Sequence, residues 1–262
     1  MVFFHFNKLL ALSPYYPQIA STIQTLYDET KELITNYKKK GIFMRVAIFD
    51  FDGTLYSDET FQLLMGHLRY HPVYHTNYKQ FYRAILPPFI GHKLKLVPEA
   101  KMKERSMQIY LNALGIMSVK ELDAYFEELT DKVRQGFNLE VIRRLKQHAA
   151  ENIHIMLVSG AYTSLLQSVT KELQFDTIIG TEIPMKAGKI DNRTPIYHIQ
   201  GSRKNEKINE VLEGKKIDWQ NSFAYGDSLS DLSVLELVGN PVAVRPEPRL
   251  LAIAEKRKWE VL

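Results

Sequence analysis

Short apolar runs that end abruptly in a polar residue set the pattern of this chain. Val46-Ala-Ile-Phe49 stops at Asp50, Ile153-His-Ile-Met-Leu-Val158 stops at Ser159, and Phe223-Ala-Tyr-Gly226 stops at Asp227. Runs of this length without alternation are buried on both faces, as the central strands of a parallel sheet are. Thr177 to Ile183 and Asn240-Pro-Val-Ala-Val244 read as further strands, and a helix over Leu250 to Lys258 leads to the strand-like end Trp259-Glu-Val-Leu262. Helical spacing falls between them: up to about His148, from about Tyr162, over 202–212, and through Leu232, Leu235 and Val238. Strands alternating with helices predict an α/β, doubly wound parallel sheet.

From residue 58 to about 149 no buried strand interrupts the chain. Helical patterns run through Phe61 to Leu68, Tyr78 to Leu86, Glu104 to Leu114 and Val119 to Val133, broken by Pro72, Pro87-Pro88, Pro98 and Gly115. Ser118 with Glu121 three residues on forms a capping box. The spacing predicts an all-helical insertion between the first strand and the rest of the sheet. Lys186 to Gly201 is polar, with Gly188 and Asn192 marking hairpin-like loops, and Ser159-Gly160 reads by itself as an ordinary turn. Before the first strand, Pro17 can open a helix in which Ile19, Ile23, Leu26, Leu33, Ile34 and Tyr37 recur up to Lys38-Lys39-Lys40-Gly41. Three readings of residues 1–43 stand open: a helix packed on the core with a solvated end, an amphipathic element meeting an anionic membrane or a partner, or a stretch outside the native chain, with Met44 as its start.

Ligands of open α/β sheets bind at the carboxyl ends of the strands, and Asp50 falls there. Asp52, two residues on along an extended segment, projects to the same side, where two carboxylates repel unless a cation lies between them. Oxygen ligands in a chain without cysteine favour Mg²⁺ over a transition metal. Gly53 lets the backbone approach an anion closely.

The absence of cysteine also excludes disulfides and thiolate sites and is compatible with a reducing compartment. A chain of 262 residues has room for a core and an inserted domain. No run approaches the roughly 18 apolar residues that cross a bilayer, and the opening Met1-Val-Phe-Phe-His-Phe-Asn-Lys8 is too short and wrongly flanked for a secretory signal. The net charge is +4. Five lysines and three acids in residues 1–44 carry half of it, and the remainder is too small for a nucleic-acid stripe.

Asp50-Phe-Asp52-Gly53-Thr54-Leu55 at the end of an apolar strand resembles motif I of the haloacid dehalogenase superfamily, most of whose members are phosphatases. Ser159 resembles its motif II, a lysine entering a helix after Gly201 its motif III, and Gly226-Asp227-Ser-Leu-Ser-Asp231 its motif IV. For motif III, Lys204 fits the family spacing better, while Lys207, followed directly by Ile208, also matches a pattern seen there. The likeness covers about residues 44–262 and is nearest to the phosphoserine-phosphatase-like branch.

That resemblance implies a Rossmann-like core over 44–57 and 150–262, a helical cap over 58–149, and a separate extension over 1–43. It implies a Mg²⁺-dependent phosphatase acting on a small-molecule phosphomonoester through an aspartyl-phosphate. Asp50 is then the nucleophile and Asp52 the acid and base. Ser159 and Lys204 hold the phosphoryl group with Gly53, Thr54 and Gly160, and Glu59 either meets a cation of the substrate or simply favours a helix start. Metal ligands are Asp50, the carbonyl of Asp52, and Asp227, with Asp231 supporting them. Asp52 argues against dehalogenation, because dehalogenases lack that acid and the metal. A phosphotransferase or mutase, and a binding module without turnover, are the alternatives. Neither nucleic acid nor stable membrane insertion is expected, the location is cytoplasmic, and the oligomeric state is open.

Overall fold

Val46–Phe49 form β1, and all four residues are buried. Alternate side chains of a strand leave on opposite faces. Val46 and Ile48 accordingly pack with Met156, Ile208 and Leu235, while Ala47 and Phe49 pack with Leu145, Leu157 and Val242. A strand with two apolar faces belongs in the middle of a sheet. The other strands are β2 (His154–Tyr162), β3 (Thr177–Thr181), β4 (Met185–Lys186), β5 (Lys189–Ile190), β6 (Phe223–Gly226), β7 (Asn240–Ala243) and β8 (Glu260–Val261). Six of them make one parallel sheet in the order β3-β2-β1-β6-β7-β8, with β1 inside it. The fold is α/β and Rossmann-like. This computed structural model describes residues 43–262 and, before them, Thr25 alone. The amphipathic pattern over 17–40 lies outside the described residues, and residues 44–262 form one unit.

Between β1 and β2 run α1 (Thr60–Tyr70), α2 (His75–Lys93), α3 (Glu99–Leu114), α4 (Val119–Glu127), α5 (Thr130–Gln135) and α6 (Leu139–Ala150). The capping box at α4 is formed: Ser118 N–H donates to Glu121 Oε2 at 2.8 Å, and Glu121 N–H to Ser118 Oγ at 3.3 Å. Tyr110 of α3 donates its hydroxyl to Leu64 O of α1 at 3.0 Å and lies 2.7 Å from the Tyr125 hydroxyl of α4, which ties these helices together. The pattern expected to break at Pro87-Pro88 does not; α2 runs through both prolines. Neither has an N–H, but Arg83 and Ala84, the residues one turn earlier, are exposed, so the turn that loses two donors lies at the surface and not in the core. The Val119 to Val133 pattern divides at Glu128-Leu129 into α4 and α5. The helix α6 lies against the sheet: His148 Nε2 is 2.7 Å from the hydroxyl of Tyr225, whose ring stacks on Phe49 at 4.4 Å.

After β2 come α7 (Thr163–Val169), α8 (Ser202–Val211), α9 (Leu232–Leu235) and α10 (Pro248–Arg257). Ser159-Gly160-Ala161 is not the turn its residues suggest. β2 continues through it to Tyr162 with a register irregularity against β3. Ser159 Oγ accepts from Ala161 N–H at 3.1 Å and Thr181 Oγ1 donates to Gly160 O at 2.7 Å, replacing ladder bonds that the irregularity removes. The polar stretch after β3 does hold a hairpin. β4 and β5 turn on Ala187 and Gly188, with φ of 51° and 74°.

Candidate active site

Phe49 stands opposite both Leu157 and Tyr225, so β1 ends at Asp50 beside the carboxyl-end halves of β2 and β6. That end of the sheet carries Asp50, Ser159 and Asp227 from three different strands. Asp50 is buried, and its N–H donates to Tyr225 O at 3.0 Å. Lys204, in the first turn of α8, is buried as well; its Nζ donates to Asp50 Oδ1 at 2.5 Å and to Asp231 Oδ1 at 2.6 Å. Lys207 points elsewhere and pairs with Glu210 at the surface, at 2.6 Å. Of the two lysines that spacing left open, the structure brings Lys204 to the acids.

Carboxylate oxygens of Asp50, Asp227 and Asp231 lie within 4.8 Å of one another. The second oxygen of Asp231 accepts from Ser228 N–H at 3.3 Å and Ser228 Oγ at 3.2 Å, which fixes that side chain at the head of α9. Burial, and then repulsion from Asp231, raise Asp50 well above the carboxylate range despite the ammonium beside it. The same two causes push Asp227 up to about 7. Burial works against the charge of Lys204, but the Asp231 and Asp50 carboxylates outweigh it and hold the ammonium protonated. Among the described residues three carboxylates face one ammonium, so with all three ionised the pocket is two positive charges short. A divalent cation that prefers oxygen fits that deficit and removes the repulsion behind the raised values.

The remaining motif residues surround this cluster unequally. Gly53 has φ of +75°, and a Cβ there would sit 2.3 Å from Asp227 Oδ2, so only glycine lets motif I and motif IV approach. Asp52 is not part of the three-acid cluster through its carboxylate. Its Oδ1 accepts from Thr60 N–H and its Oδ2 from Thr60 Oγ1, both at 2.8 Å, so it caps the start of α1. Burial and then the Glu59 charge push it up to about 7. Thr54 is fully buried, and its hydroxyl has no hydrogen-bond partner among the described residues. Glu59 is exposed at the N-cap of α1 and reaches the site only through its charge. Ser159 is buried, and a Cβ on Gly160 would meet His198 Cε1 at 2.7 Å.

Several neighbours of the site escape sequence reasoning. His198 is 5% exposed, and neither ring nitrogen has a hydrogen-bond partner among the described residues; burial pushes it down to about 4. Arg245 donates to Gly53 O at 2.9 Å from 192 residues away. Gln200 donates to Ala100 O at 2.9 Å and Arg203 to Glu104 Oε1 at 3.0 Å, joining the entry of α8 to α3. No spacing announces these contacts, since each joins segments remote in sequence. A second cluster, His67, His71 and Glu128, lies among the inserted helices. His71 Nδ1 accepts from Val73 and Tyr74 N–H, at 3.1 Å each, so the neutral ring carries its proton on Nε2, 3.3 Å from Glu128. A protonated nitrogen cannot ligate, and the trio is a polar helix end rather than a metal centre.

The model of the haloacid dehalogenase-like hydrolase family matches residues 47–236. The chain belongs to that family. Among curated proteins it is similar to the inhibition of morphological differentiation protein of Streptomyces azureus, 28% identical over 160 residues, or 60% of this chain and 57% of that one. It is also similar to a phosphoserine phosphatase of Mycobacterium tuberculosis, 27% identical over 145 residues, or 55% and 47% of the two. The chain thus spans about half the length of the curated relatives it matches. Among solved structures, a Bordetella pertussis Tohama I protein superposes with a TM-score of 0.70 at 22% identity, over 84% of this chain and 98% of that one.

Proposed function

We propose that the protein is a Mg²⁺-dependent phosphatase that hydrolyses a small-molecule phosphomonoester through an aspartyl-phosphate on Asp50. The observation that carries this reading is the buried Lys204 ammonium held between Asp50 and Asp231, with Asp227 in reach of both acids. Lys204 occupies Asp50 Oδ1, which leaves the other oxygen to attack phosphorus while the ester P–O bond breaks. Asp52 gives its proton to the departing alkoxide. It then takes one from the water that attacks the aspartyl-phosphate and releases inorganic phosphate. A carboxyl near 7 suits both directions. Ser159, the amides at Gly53 and Gly160, Thr54 and Lys204 would carry the charge on the transferring oxygens. Asp50, Asp227 and the carbonyl of Asp52 would hold Mg²⁺, with Asp231 supporting them. When bound, the ion supplies positive charge to the phosphoryl group and the nucleophile.

The phosphoserine phosphatase among the relatives supports a phosphate ester as substrate class, and in this reading the exposed Glu59 meets a cationic group on it. In this reading the cap, expected over 58–149, ends at α5, because α6 belongs to the sheet layer. The cysteine-free chain supports a cytoplasmic location. The test is phosphate release from an aryl phosphate with Mg²⁺, together with denaturing mass spectrometry of enzyme quenched during turnover. Asp50→Asn should lose both the activity and a phosphorylated species. Turnover by that variant, or full activity in excess chelator, would sink the mechanism.

A further inference from the structure

The segment 60–98 contains no aspartate or glutamate, while it carries Arg69, Lys79, Arg83, Lys93 and Lys95. Its five positive charges alone exceed the +4 of the whole chain. Half of the large apolar side chains that stand exposed among the described residues fall in the same stretch, between Tyr70 and Leu96. In α2, a helix of 19 residues, only Phe81 is buried. At 100° per residue, positions 79, 82, 83, 86, 89, 90 and 93 fall within about 120° of its circumference. That sector presents Tyr82, Leu86, Phe89 and Ile90 together with Lys79, Arg83 and Lys93, all exposed. The loop beyond it adds Leu94 and Leu96, 64% and 76% exposed, on either side of Lys95. The cations fold over the apolar groups: Lys93 Nζ lies 5.6 Å from the Phe89 ring centre, and the Arg69 guanidinium lies 5.2 Å and 5.7 Å from those of Tyr70 and Tyr78.

We propose that this face of the inserted helices, α2 and the loop to Pro98, adsorbs to an anionic lipid bilayer without spanning it. No described helix is long and apolar enough to cross a membrane. An interfacial element instead needs aliphatic and aromatic groups that enter the acyl boundary and cations whose stems run along them to the headgroups. Both are present here. Charge selects this occupant over a second copy of the chain, since a two-fold contact would set the same four cations, Lys79, Arg83, Lys93 and Lys95, against themselves. Aliphatic Leu86, Ile90, Leu94 and Leu96 offer nothing to a nucleic acid, whose single strands want stacking rings and whose duplexes want a denser cationic stripe. The acids that flank the segment, Glu59 and Glu99, lie outside the face, and Glu99 is paired with Lys103 at 3.1 Å.

The experiment is co-sedimentation of the full chain with vesicles of phosphatidylcholine alone and of phosphatidylcholine with phosphatidylglycerol, at low and at high salt. Two variants accompany it, Lys93→Glu/Lys95→Glu and Phe89→Ser/Ile90→Ser. All of these positions are exposed, and unchanged circular dichroism would show that both variants fold. Because every sample keeps residues 1–42, differences between them report the α2 face alone. The protein should pellet with the anionic vesicles, and salt should release it. A basic side chain near the surface is worth about a factor of five, so even neutralising two lysines weakens partition about 30-fold; reversal should do at least that. The serine pair should weaken it by at least about tenfold. Failure to pellet with anionic vesicles at low salt would overturn the proposal. So would equal pelleting with neutral vesicles, binding that neither variant weakens, or light scattering that shows a dimer dissolved by the serine pair. Failure to bind vesicles combined with capture by an acidic protein would reassign the face.

Discussion

Lys204→Met removes the one ammonium that, among the described residues, donates to this pocket of three carboxylates, and its burial and contacts say roughly what that should cost. Its Nζ donates to two buried acids, at 2.5 and 2.6 Å, and the side chain is only 4% exposed. Removing one partner of a buried ion pair while the other stays charged costs about 3–5 kcal/mol. At this size, that is a fall of about 10 °C in Tm for metal-free protein. The loss should depend on pH in a definite direction. The Lys204 pKa is raised, so the stability it brings is complete below the ordinary lysine pKa and constant between pH 5.5 and 8. The acids behave oppositely. Asp50 and Asp227 are raised, so the unfolded chain gives up their protons first and stability falls as pH rises from the ordinary carboxylate range through about 7. Without the ammonium that fall steepens. At pH 5.5 the acids escape by staying protonated, and at pH 8 protonating Asp227 costs about 1.4 kcal/mol per pH unit above its pKa. Urea unfolding of both proteins in chelator should therefore give a difference about 1–2 kcal/mol larger at pH 8 than at pH 5.5, and Mg²⁺ should narrow it. A difference under about 1 kcal/mol at pH 8, or one that ignores pH, would refute the ion-pair account of the pocket.

Other changes probe neighbouring parts of the site. Asp52→Asn keeps an acceptor for Thr60 N–H but cannot exchange a proton, so kcat should fall by about 10²–10⁴ while Tm stays near that of the parent. Gly53→Ala places a methyl 2.3 Å from Asp227 Oδ2 at a positive φ, so Asp227 must shift; calorimetry should show Mg²⁺ affinity reduced by at least about tenfold, which is about 1.4 kcal/mol. His198→Leu should reduce acid sensitivity. The folded ring is pushed down to about 4, so the unfolded chain takes the proton first and stability present above about pH 6.5 drains away as pH falls toward 4. The stability gap between leucine variant and parent should move in the variant's favour on acidification, and a gap independent of pH would contradict a buried neutral imidazole.

The sheet was legible because burial on two faces needs unbroken apolar runs, and Val46 to Phe49 or Ile153 to Val158 have no other use in a protein of this size. The acids that end those runs were legible for the same reason, since a strand's carboxyl end is fixed once the strand is. Three other features were not. Pro87-Pro88 looked like a break, yet the helix runs on because the turn that loses their donors is exposed and not buried in the core. Ser159 to Ala161 looked like a turn, yet partners from β3 and the chain itself carry the strand onward. Lys204 and Lys207 sit three residues apart at one helix start, and local spacing cannot say which faces the pocket.

Taken by itself, the amino-acid order determined which segments must be buried, and hence that Asp50, Ser159 and Asp227 would emerge at one edge. It also determined that the acids there would be unbalanced without a cation. The tertiary structure alone decided which lysine balances them, that Thr60 holds the Asp52 carboxylate, and that His198 lies against Gly160 with no hydrogen-bond partner among the described residues. Burial is written into composition along the chain, whereas those pairings depend on how separate elements come to rest against each other across more space than any local pattern records.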